Sequence, residues 1–159
     1  MKQIDTLVED IYELFNSHNT SLSEKEVDTC INTFAESIKS HVKDFLKEMP
    51  QHKPSLRLSI IGRPNRQLWY DFKEPNKEAL APSTRIKFLY GYILEEFLIM
   101  LASIAGHTVT QQQKEVEIEG IKGHQDCFID GVLTDCKSAS GRGFSKFKYN
   151  TLSDDDPFG

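Results

Sequence analysis

Long apolar runs are missing from this chain. None of its 159 residues falls in an unbroken apolar stretch long enough for a membrane-spanning helix, which needs about twenty such residues. The longest run, Phe97 to Ala105, lies mid-chain directly after Glu95 and Glu96. Cysteine is scarce: Cys30, Cys127 and Cys136 have neither the number nor the spacing for a disulfide framework or a CxxC metal knuckle. Three unframed thiols suit a reducing compartment, so the expected location is cytoplasmic. The N-terminus shows helical patterning and lacks the layout of a secretion signal. There is no internal repeat and no phosphate-binding glycine loop. Basic residues are outnumbered, 19 against 24 acidic, for a net charge of −5. An acidic chain can still meet a polyanion through local basic segments, and two exist. Pro50 to Lys73 holds five Lys/Arg and one acid, Asp71; Lys137 to Lys148 holds four Lys/Arg and none.

What is present reads as helices followed by short strands. Ile4, Leu7, Val8, Ile11, Leu14 and Phe15 recur at helical spacing, as do Val27, Ile31, Phe34, Ile38, Val42 and Phe45. Ser23 with Glu26 three residues on predicts a capping box, and Pro50 and Pro54 close the second helix. Residues 1–50 are therefore expected to form a helical hairpin, and residues 51–159 the core that carries the chemistry. A short helix with Leu68, Trp69 and Phe72 follows the Arg-Pro-Asn-Arg turn, then a loop over 74–82. Residues 83–105 predict a helix that is apolar on nearly every side and hence buried all round, stopped by Gly106. A buried charge must be paired or must hold a metal, so Glu95 and Glu96 in that helix stand out.

A meander of strands comes next. Lys114 to Glu119 alternates, Gly120 breaks it, and a second strand is expected over 123–129. Asp130-Gly131 is a two-residue hairpin signal, and a third strand covers 132–137. Its period of two places Leu133, Asp135 and Lys137 on one face, with Asp126 on the antiparallel partner strand. Carboxylates from two strands and a helix are the oxygen ligands that Mg²⁺ takes while keeping several waters. Such ions activate water and stabilise the oxygens of a phosphodiester in displacement. A lysine beside them can orient or deprotonate the water, or neutralise the phosphate. The backbone carbonyl of Cys136 is a further candidate ligand.

Asp126-x8-Asp135-x-Lys137, after a helix carrying Gly91-x3-Glu95, resembles the PD-(D/E)XK nuclease superfamily. The closer resemblance is to its RecB-like exonuclease branch, which includes CRISPR-associated RecB-like nucleases and phage exonucleases. Leu-Ser-Ile-Ile-Gly-Arg-Pro-Asn-Arg-Gln-Leu-Trp-Tyr at 58–70 looks like that branch's upstream segment. Gly-His-Gln-Asp at 123–126, Ile-Asp-Gly at 129–131 and Asp-Cys-Lys-Ser at 135–138 look like its core. The resemblance implies an α/β fold: a restriction-endonuclease-like mixed sheet flanked by helices, here preceded by the helical hairpin. It implies a DNA exonuclease of phage or bacterial replication, recombination or repair. Mg²⁺ or Mn²⁺ would be held by Glu95, Asp126, Asp135 and the Cys136 carbonyl, with Lys137 as the catalytic lysine. Glu96 is the alternative to Glu95.

Three departures shape these expectations. Gly62-Arg63-Pro64-Asn65-Arg66 stands where cluster-bearing members place a cysteine, and no cysteine follows Cys136, so no iron–sulfur cluster is expected. The branch's Gln-x3-Tyr helix does not follow Lys137, which implies a truncated piece, or a homo-oligomer or partner chain that completes the fold. No helicase-type phosphate loop is present. The alternative is a catalytically incomplete DNA-binding module on a nuclease fold, or a helical interaction protein centred on residues 1–50. No membrane partner is expected.

Other residues are weighed on the same terms. Arg63 and Arg66 suit bidentate phosphate contacts, with a surface salt bridge as the alternative. Ser138, Arg142, Lys146 and Lys148, with Ser140, follow the catalytic strand and suit a phosphate track. Glu95 could instead pair with Arg85 or Lys87. His124 is expected as a strand residue, His107 as a cap or surface residue, Trp69 and Tyr70 as packing for the short helix, and Asp154–Asp156 as a solvated turn.

Overall fold

A computed structural model of the chain describes residues 2–47, 56–73 and 80–151. A 3-10 turn over Ile4–Thr6 leads into α1 (Leu7–Ser17), which ends at His18 in the left-handed region, φ 52°. The capping box then starts α2 (Glu24–Leu46): Ser23 Oγ accepts from Glu26 N–H, and Glu26 accepts from Ser23 N–H at 2.8 Å. α2 ends four residues before Pro50, and the expected closure by Pro50 and Pro54 lies outside the described residues. α3 (Asn65–Lys73) is the short helix after the Arg-Pro-Asn-Arg turn. Most of the loop expected over 74–82 also lies outside the described residues, as does Asp154–Asp156.

α4 (Pro82–Ile104) opens on Pro82, where a missing N–H costs nothing. It closes as expected at Gly106, φ 90°. Gly106 N–H returns to Ser103 O and His107 N–H to Ala102 O, each at 3.0 Å, the five-to-two and six-to-one bonds, in that order, of a Schellman stop. Only Ile99, Ala102 and Ile104 of α4 are buried. Ile86, Phe88 and Tyr90 are 68%, 50% and 59% exposed, so the expectation of a helix buried on all sides holds only for its C-terminal turns. There Ile99 and Ala102 meet Cys127 and Ile129, with Ile4, Leu7 and Val109 closing the core. α2 lies along α4, joined by the edge-on pair Phe34–Phe97 at 6.1 Å. Thr20, between α1 and α2, donates its hydroxyl to Ile104 O at 2.6 Å and occupies an orphan carbonyl of α4.

The strands are shorter than their periodicity predicts and divide into two groups. β2 (Glu115–Ile118) and β3 (Ile121–His124) form one hairpin. β1 (Val109–Thr110), β4 (Cys127–Ile129) and β5 (Val132–Thr134) form a second antiparallel sheet in the order β1-β4-β5. The single strand expected over 123–129 is therefore two, separated by a bend at Gln125-Asp126. Main-chain bonds Gln113 N–H to Asp126 O (2.9 Å) and Gln125 N–H to Lys114 O (3.2 Å) carry the chain across it. The third strand ends at Thr134, so Asp135 and Lys137 follow the ladder and are not part of it. Asp130-Gly131 turns the β4–β5 hairpin as predicted, with φ 51° and 84°; two consecutive positive values define the tight turn whose twist matches the strands. The one parallel pairing among the described residues is an isolated bridge from Arg57 to Lys122. Finally, α5 (Gly141–Lys148) begins at Ser140, whose hydroxyl accepts from Gly143 N–H. The fold is thus a mixture of helices and small antiparallel sheets. Among the described residues no helix is long and apolar enough to cross a membrane.

Candidate active site

The β4–β5 register pairs Cys127 with Thr134. One step beyond the ladder, Asp126 and Asp135 therefore stand across from one another. The chain is held there by a side-chain contact: Asp126 Oδ2 accepts from Cys136 N–H at 2.7 Å. Asp135 Oδ1 accepts from Lys137 Nζ at 2.7 Å, as expected of side chains two residues apart on one extended face. That pair is exposed, at 61% and 60%.

Glu95 reaches the same place from α4. It lines a cleft of about 1110 Å³ together with Asp126, Cys136, Lys137 and Ser138. Asp135 sits beside this cleft and is not one of its lining residues. The choice between the two helix carboxylates also has a geometric answer. Glu96 lines a separate cavity of about 120 Å³ between α2 and α4, so Glu95 alone faces the cleft. Glu95 does not pair with Arg85 or Lys87. Its Oε1 accepts from the Gln113 amide at 2.5 Å, while Arg85 donates to Phe45 O.

The electrostatics follow from this crowding. Burial raises the Glu95 carboxyl above its usual range, and the negative charge of Asp126 adds to the effect; the Gln113 amide opposes it. Burial, then Cys127 and the carboxylates around it, pushes the Cys136 thiol up to about 12. It is therefore no ready nucleophile. The hydrogen bond to Asp135 raises Lys137 and keeps it cationic.

Among the described residues, no three His, Cys, Asp or Glu side chains are grouped as a metal-holding set. Asp126, Glu95 and Asp135 each have one oxygen engaged by a protein donor. The donor chemistry of the cleft still suits a hard cation: Glu95 and Asp126 share a wall, and their mutual repulsion is what a divalent ion relieves.

The other predicted residues lie further out. Arg66 is on α3 with its guanidinium 5.9 Å from the Tyr70 ring centroid, and Arg63 precedes that helix. Neither lines the cleft. Arg142, Lys146 and Lys148 are carried by α5, which begins three residues after Ser138. Trp69 and Tyr70 stack edge-on at 5.1 Å and are 56% and 43% exposed, so they do not bury the short helix as expected. His124 lies on β3, opposite Glu115, as a strand residue.

His107 closes the end of α4 as a cap, its N–H returning to Ala102 O, but its side chain is buried and not at the surface. It is 5% exposed, with Nδ1 2.6 Å from Asp130 Oδ2. Its Nε2 lies 3.1 Å from Asp10 Oδ2, within reach of its charge but off the line of a hydrogen bond.

Sequence reasoning also missed Gln113 and four further basic residues that line the cleft, Lys47, Arg57, Arg85 and Lys87. The signal available was helical spacing: Arg85, Phe88, Tyr92 and Glu95 fall on one face of α4. Comparison of the chain with protein-family models, with curated proteins and with solved structures returns no match.

Proposed function

We propose that the chain is a divalent-metal-dependent DNA nuclease, an exonuclease with a restriction-endonuclease-like core, acting in the cytoplasm of a bacterial or phage-infected cell. One observation carries the reading. Glu95 of α4, Asp126 at the β3–β4 bend and Lys137 after β5 line a single cleft that Lys47, Arg57, Arg85 and Lys87 also line. Glu95, Asp126, Asp135 and the Cys136 carbonyl are the groups that would hold Mg²⁺ or Mn²⁺. When bound, such an ion supplies an activated water and a sink for phosphate charge. Asp135 fixes the Lys137 ammonium and keeps it protonated. Lys137 is thereby placed to act as a charge partner for the phosphate. Asp126 ties the bend to the main chain of Cys136, which sets the spacing between the carboxylates and the lysine. Arg63, Arg66, Ser138, Arg142, Lys146 and Lys148 extend the proposed DNA contacts beyond the cleft.

A second reading, a DNA-binding module that does not cut, is favoured by one specific observation: no preformed metal-holding group exists among the described residues. Digestion of linear DNA by the purified chain with Mg²⁺ or Mn²⁺ separates the two.

A further inference from the structure

The proposed chemistry uses one part of the cleft. The same cleft is also lined by Lys47, Arg57, Arg85 and Lys87, with Asp44, Phe88 and Tyr92. Two of these cations are already engaged: Lys47 pairs with Asp44 at 2.6 Å, and Arg85 donates to Phe45 O. The side chains of Arg57 and Lys87 have no ion-pair or hydrogen-bond partner among the described residues. Both side chains are exposed cations lining the same cleft, which suits an anionic ligand.

The α4 wall of this cleft is regular. Arg85 and Glu95 are ten residues apart on α4, which at 1.5 Å per residue is about 15 Å. Stacked nucleotides advance about 3.4 Å each, so the wall spans roughly four. The volume of about 1110 Å³ is close to that of pockets enclosing one drug-sized ligand. The rings on this wall differ in availability. Tyr92, 38% exposed, already has the rings of His41 at 4.6 Å and Phe45 at 6.0 Å beside it, whereas Phe88 is 50% exposed. An open ring stacks on an unpaired base, while a duplex keeps its base faces hidden.

We propose that the part of this cleft at Arg57, Lys87 and Phe88 is a binding subsite for the backbone and a base of an unpaired polynucleotide strand, about three nucleotides from Glu95. The choice of polyanion rests on the nuclease reading; the geometry of the subsite does not. Fluorescence anisotropy with a labelled twelve-nucleotide single strand, and with the same sequence as duplex, tests it in EDTA, where no cutting occurs. The wild-type chain is expected to prefer the single strand by at least tenfold. The double variant Arg57→Ala/Lys87→Ala is expected to lose at least tenfold in affinity. Its slope of log affinity against log salt should fall by about 1.4, since each phosphate contact on a single strand contributes about 0.7. Phe88→Ala should weaken single-strand binding without changing that slope, and Phe88→Tyr should restore it. Equal binding of duplex, or an unchanged slope in the double variant, overturns the subsite. The nuclease reading fails separately: single-strand binding without metal-dependent cleavage refutes cutting and leaves the subsite standing, and cleavage with an unchanged slope does the reverse. Both substituted cations are exposed, so thermal unfolding of the variants should match wild type.

Discussion

Asp126 Oδ2 accepts a 2.7 Å hydrogen bond from the main-chain N–H of Cys136. This single bond joins the bend before β4 to the segment after β5, where no ladder bond holds the chain. The carboxylate thereby has two tasks, one structural and one chemical, and substitutions separate them. Asp126→Asn keeps an acceptor oxygen and removes the charge. It should fold with little change in melting temperature and lose at least 100-fold in cleavage. Asp126→Ala also orphans the Cys136 N–H and should cost about 1–3 kcal/mol of stability as well, read from denaturant unfolding.

Glu95 is destabilised as an anion by burial first and by Asp126 second. A divalent ion bound between them should relieve both. Millimolar Mn²⁺ is therefore expected to raise the melting temperature of wild type, since a ligand at 100 times its dissociation constant stabilises by about 2.7 kcal/mol. Glu95→Gln should be no less stable than wild type without metal, because it removes an ion held at a cost, and should lose the response to Mn²⁺. A Mn²⁺ shift that persists in Glu95→Gln would place the ion elsewhere.

The second polar junction sits away from the cleft. His107 links Asp130 of the β4–β5 turn to Asp10 of α1, and Lys2 pairs with Asp10 at 2.9 Å. Burial alone would raise Asp130, but the His107 and Thr108 hydrogen bonds outweigh it and hold the carboxyl low. The Thr6 hydroxyl and Lys2 likewise lower Asp10. Depressed carboxyl groups stabilise the fold above their unfolded values, near about 3.9, and that contribution is lost as pH falls through the folded values. Melting temperature should therefore drop in acid below about pH 4, and Asp130→Asn should flatten this limb by removing its contribution at every pH. His107→Ala leaves Asp130 buried without its partner and should cost about 2–3 kcal/mol.

Gly123 of β3 carries the 3-10 turn at Leu58–Ile60. A Cβ there would stand 2.7 Å from Leu58 Cβ, too close for the neighbour to yield by a side-chain rotation alone. Gly123→Ala should cost about 1–3 kcal/mol by overpacking. Arg57 immediately precedes that turn and lines the cleft, so the same substitution should weaken single-strand binding.

The elements that local rules govern were legible in the sequence. Ser23 with Glu26, Gly106 and Asp130-Gly131 act through their own backbone neighbours, and each does in the structure what its residue type dictates; Pro82, read as the end of a loop, is instead the first residue of α4. The site was legible in part for the same reason. A period of two puts Asp135 beside Lys137, and a two-residue turn puts Asp126 across from Asp135, without reference to the rest of the chain. What needed tertiary information was missed. His107 reads as a helix-end residue until α1 delivers Asp10 to it. Gln125-Asp126 reads as strand because alternation continues through the bend. The apolar girth of α4 exceeds what α2 and the sheets can cover, so a hydrophobic pattern overstated its burial. The basic lining of the cleft draws on α2, on α4 and on the segment before α3, and no local pattern joins them.

The measurement that tests the nuclease reading most directly is digestion of end-labelled linear DNA, single- and double-stranded, by the purified chain with Mg²⁺ or Mn²⁺, with Lys137→Ala in parallel. The account predicts metal-dependent cleavage that EDTA stops and that Lys137→Ala lowers at least 100-fold, about 2.7 kcal/mol of transition-state stabilisation. Absence of metal-dependent cleavage, or cleavage that survives Lys137→Ala undiminished, would contradict it.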